Sequence, residues 1–276
     1  TIPGIRGTLA SRTRDDIVAE AAGLAAMGVR ELDIVAQDTT AWGFDRRGAE
    51  RVYDLIEAIA DLGRFDWIRL LYSHPAHIDS KRIAALMRQG ALVPYVDMPI
   101  QHASDRVLEL MGRPYTRAAL EALLDSLRAG VDDIVLRTTV MVGFPGERES
   151  DFRELVSFLE SAAFDHVGVF AFSREPGTAA ASLDGRVSAR VAGQRRDEIL
   201  ELQMDISEER LAARVGTELD VLVDEEIPPE ERPEPDLVFS GRFFGQTYEV
   251  DGVTYLDSAA GAPGTSTVSS IRKPMT

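Results

Sequence analysis

Between Val29 and Glu175 the chain repeats one pattern five times: a short apolar run, a polar cluster, then apolar residues at helical spacing. A strand that gives way to a helix cannot pair with the next strand through a tight turn. The chain must cross over, so successive strands lie parallel. The runs are V-R-E-L-D-I-V-A, W-I-R-L-L-Y, L-V-P-Y-V-D-M, D-I-V-L-R-T-T-V-M-V and H-V-G-V-F-A-F. Helical spacing predicts helices over Arg14–Met27, from about Gly48 to Leu62, from Asp79 or Ser80 through Arg88, over Asp105–Met111, Arg117–Arg128 and Glu149–Ala162, and from about Val191 to Arg214. Thr13 is the expected N-cap of the first helix and Gly28 its C-cap. The fold class expected is α/β, an open parallel (β/α) partial barrel. Its first helix has no strand before it, so a further strand is expected ahead of Thr1. The opening T-I-P-G-I-R-G then reads as the tail of a βα loop, and the chain as a fragment.

The pattern changes near Arg214. G-T-E-L-D-V-L-V-D and L-V-F-S-G-R read as strands around an acidic, proline-rich loop, E-I-P-P-E-E-R-P-E-P-D. Y-E-V-D-G-V-T-Y reads as short strands about a D-G turn, and S-A-A-G-A-P-G-T-S-T-V-S-S as poorly ordered. A small β module is therefore expected over 215–276, after a core over 1–214. The whole chain carries a net charge of −16 over 276 residues. From Gly216 onward twelve acidic residues face four basic ones, a net of −8. That field repels phosphate backbones and suits either solubility or a basic partner. There is no signal peptide and no apolar run of membrane-spanning length, so the expected location is the cytoplasm. Cysteine is absent, which excludes disulfides and thiolate ligands within this chain.

In parallel βα barrels, active sites gather where the strands end. Here those positions hold Gln37-Asp38-Thr39-Thr40, Ser73-His74-Pro75, Pro99-Ile100-Gln101-His102, Gly143 to Glu147, and Ser173-Arg174-Glu175. Singly each has a plainer reading. Asp38 can cap a turn. His74 and His102 can be hydrogen-bonded structural histidines, and no cysteine accompanies them to favour a metal. Gly143–Gly146 can be a tight turn. Arg137, inside an apolar strand, needs a partner: either a carboxylate such as Asp97 or a ligand carboxylate in the lumen.

Taken in order, D-I-V-A-Q-D-T-T-A-W-G, R-L-L-Y-S-H-P, V-D-M-P-I-Q-H-A-S-D-R-V-L-E-L-M-G-R-P-Y-T, R-T-T-V-M-V-G-F-P-G-E and V-G-V-F-A-F-S-R-E-P-G-T-A-A resemble the radical S-adenosylmethionine methylthiotransferases. P-I-Q-H-A-S resembles the branch acting on small-subunit ribosomal protein twelve, where the tRNA-modifying branch has P-V-Q-S-G-S. E-V-D-G-V-T-Y is similar to part of that family's C-terminal TRAM domain, whose pattern fades after Leu256. The resemblance implies S-adenosyl-L-methionine and two [4Fe-4S] clusters in the full-length enzyme, none ligated by this chain. Thr1 would stand just past the last cysteine of the cluster loop. The implied reaction places a methylthio group on the β-carbon of an aspartate, with this fragment inactive alone. Gln37, Gln101, His102, Arg137 and Glu147 fall on motif positions. With Asp38, His74 and Ser173 they form the set expected to hold the cofactor. No catalytic residue and no metal ligand is assigned. The expected partner is a basic ribosomal protein, with no membrane and no nucleic acid as direct substrate. The alternatives are a tRNA methylthiotransferase and a non-catalytic binding domain on the same scaffold.

Overall fold

The computed structural model describes residues 7–48 and 50–270, with side chains through residue 265. Thr1 to Arg6, on which the reading of the opening loop rests, lie outside them.

Helix α1 (Arg14–Ala26) is capped by Thr13, whose hydroxyl accepts from Asp16 N, and it ends before Gly28 at φ +90°. Strand β1 (Glu31–Ile34) follows, then α2 (Val52–Ala60), β2 (Trp67–Leu70), α3 (Ser80–Arg88) and β3 (Tyr95–Asp97). Next come α4 (Asp105–Leu110), α5 (Arg117–Gly130), β4 (Val135–Val142), α6 (Glu149–Ala162), β5 (His166–Ala171) and α7 (Ala189–Ala212). Helix α2 starts four residues later than expected, because the stretch before it is taken up by a 3-10 turn at Thr39–Ala41 and successive turns. The Asp54 carboxylate then accepts from Arg51 N at 2.6 Å and starts the helix.

All five strands are parallel. β1 pairs with β2, β3 with β4, and β4 with β5. The two sets join between β2 and β3, where Val93 N donates to Ile68 O at 3.0 Å and Ser73 N to Asp97 O at 2.9 Å. The result is an open arc with β1 and β5 at its edges. Along β4, Leu136, Thr138, Val140 and Val142 are fully buried, whereas Arg137, Thr139 and Met141 are only partly so. The buried set packs under the helices in one large apolar core. Strand alternation and register place Arg137, Thr139 and Met141 on the concave face, beside His166, Gly168 and Phe170 of β5.

A four-stranded antiparallel sheet in the order β8-β7-β6-β9 completes the chain: β6 (Glu218–Glu226), β7 (Leu237–Phe243), β8 (Thr254–Asp257) and β9 (Ser266–Ser270). Two expectations are corrected here. The Ser/Thr-rich end is not poorly ordered, since residues 266–270 pair along the edge of β6. The D-G hairpin does not form either: residues 247–251 make a tight turn, with Val250 N and Asp251 N both donating to Thr247 O. In addition, Glu225 and Glu226 belong to β6, so the acidic loop begins later than the composition suggests.

This sheet sits on the arc at the amino ends of the strands. Trp67, Leu71, Val93, Tyr95 and Val135 meet Leu222 and Phe244 in a second apolar cluster. Around it lies a set of buried charges. Arg69, 0% exposed, donates to Glu31 at 2.9 Å and to Phe244 O at 2.7 Å. Glu31 also pairs with Arg242, which donates to Asp224 at 2.7 Å. Tyr95 OH donates to Asp251, and His166 Nε2 to Gly245 O at 2.9 Å. The turn comes so close that a Cβ on Gly245 would lie 2.3 Å from the Phe243 ring and 2.9 Å from Val135.

Candidate active site

With every strand parallel, the polar clusters emerge at the end of the arc opposite the β module. Gln37 and Ser173 are exposed, on the two edge strands' loops. The Ser173 hydroxyl donates to Glu175 at 3.3 Å. Gln101 holds φ +67°, a strained conformation for a non-glycine residue, while its backbone N and O pair with Thr139 O and Met141 N. Its half-buried side chain therefore starts from a fixed backbone beside β4. His74 is half-buried, and its backbone N donates to Thr40 Oγ1 at 3.0 Å. Burial first, and the neighbouring His77 second, hold His74 below the usual imidazole range, so it is neutral at pH 7.

Three of the expected residues do not reach this opening. Arg137 lies near the amino end of β4, where Nη1 donates to Asp97 at 3.0 Å and Nε to Asp251 of the β module at 3.1 Å. Of the two partners that the sequence allowed, the carboxylate is the one found. His102 is 0% exposed and turned beneath the rim, its Nδ1 accepting from Ser104 N at 2.9 Å. Glu147 folds back under its own turn: Oε2 accepts from Phe144 N at 3.1 Å and from Gly143 N. Its Oε1 stands 3.6 Å from His102 Nε2, and Arg195 of α7 approaches Oε2 at 3.4 Å. Gly143, at φ +76°, has no room for a side chain, since a Cβ would lie 2.5 Å from Ala192. The G-F-P-G-E turn is thus packed tightly against α7. Asp38 is likewise engaged. Its Oδ1 accepts from Thr40 Oγ1 at 2.6 Å and Ala41 N at 3.1 Å, and its Oδ2 bonds His77 Nδ1 at 2.7 Å.

What remains for a ligand is a concave wall with a polar edge. Thr139 and Met141 are partly exposed on it, and Tyr72 and Phe170, respectively 47% and 62% exposed, lie beside it. Asp97, Arg137 and Asp251 close its floor. Sequence reasoning did not single out Tyr72, Phe170, His77 or Asp251. Strand parity could have raised Phe170, which stands in register with Met141. The donor set of this chain does not fit an iron–sulfur cluster, which needs thiolates where the chain has no cysteine. It does fit a polar organic ligand: the exposed amide of Gln37 and the half-buried amide of Gln101 flank an apolar wall of Met141 and Phe170.

The profile of the Radical SAM superfamily matches residues 2–159. The chain belongs to that superfamily. Coproporphyrinogen III oxidase (HemN) from Escherichia coli, a radical SAM enzyme, superposes on 72% of this chain and 48% of its own with a TM-score of 0.56 at 15% identity, a likeness of fold. The chain is similar in sequence to ribosomal protein uS12 methylthiotransferase RimO from Syntrophobacter fumaroxidans, at 44% identity over 95% of this chain and 58% of that protein. The enzyme of the same name from Clostridioides difficile is 42% identical over 93% of this chain and 56% of its own length. The chain therefore spans little more than half the length of these relatives. Among the described residues no helix is long and apolar enough to cross a membrane.

Proposed function

We propose that this chain is the central part of a methylthiotransferase that modifies ribosomal protein uS12 by radical S-adenosylmethionine chemistry, in the cytoplasm. The observation that carries the reading is the identity of 42–44% with two uS12 methylthiotransferases over 93–95% of the chain, which takes in every rim cluster. The finer terms of the proposal are an aspartate β-carbon as the acceptor and a division into a core over 1–214 and a TRAM-like module over 215–276. The cofactors would be S-adenosyl-L-methionine and two [4Fe-4S] clusters, ligated by no residue of this chain; when bound, they supply the radical and the sulfur chemistry. The part left to this chain is orientation and exclusion of water. Gln37, Gln101 and Ser173 would hydrogen-bond the cofactor at the rim. Met141 and Phe170 would shield the reacting face, and Thr139, opposite Gly168, offers a hydroxyl on the same wall.

A tRNA substrate is the second reading, and charge argues against it. The β module is net negative, where an RNA-binding surface is ordinarily basic. A basic ribosomal protein is the better electrostatic match. The test is peptide mass spectrometry of uS12 after anaerobic incubation with the full-length enzyme, S-adenosylmethionine and a reductant. Gain of one methylthio group on an aspartate supports the proposal; unmodified uS12 in the presence of an active enzyme removes it.

A further inference from the structure

We propose that Asp38, His74 and His77 form a binding site for a divalent transition-metal ion, with zinc(II) the ion that fits it. One ligand atom from each residue lies within 4.8 Å of the other two. The residues come from the loops after β1 and β2, so an ion here would tie the two loops together.

The orientation is already built. Thr40 Oγ1 donates to Asp38 Oδ1 and accepts from His74 N, so a single hydroxyl fixes both the carboxylate and the neighbouring loop. With Ala41 N also on Oδ1, Asp38 Oδ2 is left directed at His77. Outer hydrogen bonds of this kind hold ligands to a metal in register. The two imidazole rings stack with centroids 4.6 Å apart and a 30° interplanar angle, which sets their nitrogens side by side, and a rotation of the His74 ring aims both lone pairs at one ion. The His74 ring accepts one long hydrogen bond, from Ala76 N at 3.3 Å, and turns at little cost. Tetrahedral bonds of about 2.0–2.2 Å to zinc set ligand atoms roughly 3.4 Å apart, so the most distant pair draws in while Asp38 Oδ2 and His77 Nδ1, at 2.7 Å, open and exchange their hydrogen bond for the metal.

Chemistry selects the ion. Two imidazoles and one carboxylate are a borderline donor set suited to zinc, and three protein ligands leave a tetrahedral position open. The side chains of His77 and Asp38 are 32% and 23% exposed, so an ion can enter. Arg113 is near enough to His74 to oppose a cation there.

The test uses this chain without an affinity tag, in calorimetry with Zn²⁺ and absorption spectroscopy with Co²⁺. The chain has four histidines. The other two are His102, fully buried, and His166, bonded to Gly245 O, so the background is low. The expected result is one ion per chain and visible Co²⁺ bands. Both are lost in His77→Gln and in Asp38→Asn and retained in His166→Gln. Thr40→Val keeps all three ligands and should weaken binding about 10- to 100-fold. Thermal melts check that each variant is folded, and Asp38→Asn, nearly isosteric, decides if His77→Gln is not. No Co²⁺ bands with the unaltered chain would overturn the proposal, as would undiminished binding in folded Asp38→Asn or equal loss in His166→Gln.

Discussion

Replacing Asp251 by alanine removes one carboxylate that three groups share. Tyr95 OH and Thr247 N donate to Oδ2, and Arg137 Nε donates to Oδ1 at 3.1 Å. The side chain is 3% exposed, so solvent cannot replace it. Breaking a buried ion pair costs about 3–5 kcal/mol when it strands a charge. Arg137 keeps Asp97 at 3.0 Å, which puts the expected loss at the lower end, about 3 kcal/mol. Asp251→Asn retains an acceptor for Tyr95 and should lose less, roughly 1–2 kcal/mol. The assay is urea unfolding followed by tryptophan fluorescence, because Trp67 is buried in the cluster that Leu222 and Phe244 cover. With a slope near 3 kcal/mol per molar urea, the midpoint of Asp251→Ala should fall by about 1 M. Glu198→Ala is the control: its pair with Arg153 is 55% and 40% exposed and should be worth under about 1 kcal/mol. Equal midpoint shifts for Asp251→Ala and Glu198→Ala would refute the ionic seal between sheet and arc.

Two further outcomes are expected. Burial, and then the charge of Glu31, push Asp33 up to about 6 against the pull of Arg69 and Arg242. The folded state then holds a proton that the unfolded chain releases near pH 4, so this residue makes stability fall as pH rises from about 4 through 6. Asp33→Asn should flatten that segment of a melting-temperature profile and stabilise the protein at pH 8; an unchanged profile would count against a half-buried, poorly compensated Asp33. Calorimetry of this cysteine-free chain with S-adenosylmethionine should give weak heat or none, because the cluster that binds the cofactor's amino acid end in the proposed enzyme cannot form here. Tight binding would mean that the rim alone makes the site.

The arc was legible because parity and punctuation are local. Alternation along V-L-R-T-T-V-M-V put Arg137, Thr139 and Met141 on one face before any coordinates, although not which face. The partner Asp97 was also within reach, forty residues away on the adjacent strand. Asp251 was not, since it arrives from 114 residues downstream in a stretch whose D-G dipeptide reads as a hairpin. Its carboxylate caps Thr247 N and meets Arg137, and those tertiary contacts override the turn preference. Glu147 falls on a motif position of the resemblance, and no sequence pattern announces that its carboxylate accepts from the backbone N–H groups of Gly143 and Phe144 in its own turn. His77 stands three residues after His74, but only the fold brings the pair to Asp38.

The central claim concerns the substrate, and a competition tests it most directly. The full-length enzyme, reduced and supplied with S-adenosylmethionine, is given uS12 and tRNA together, and both are analysed by mass spectrometry. The account expects the methylthio group on an aspartate of uS12 and none on tRNA. A methylthio group on tRNA with uS12 unchanged would contradict it.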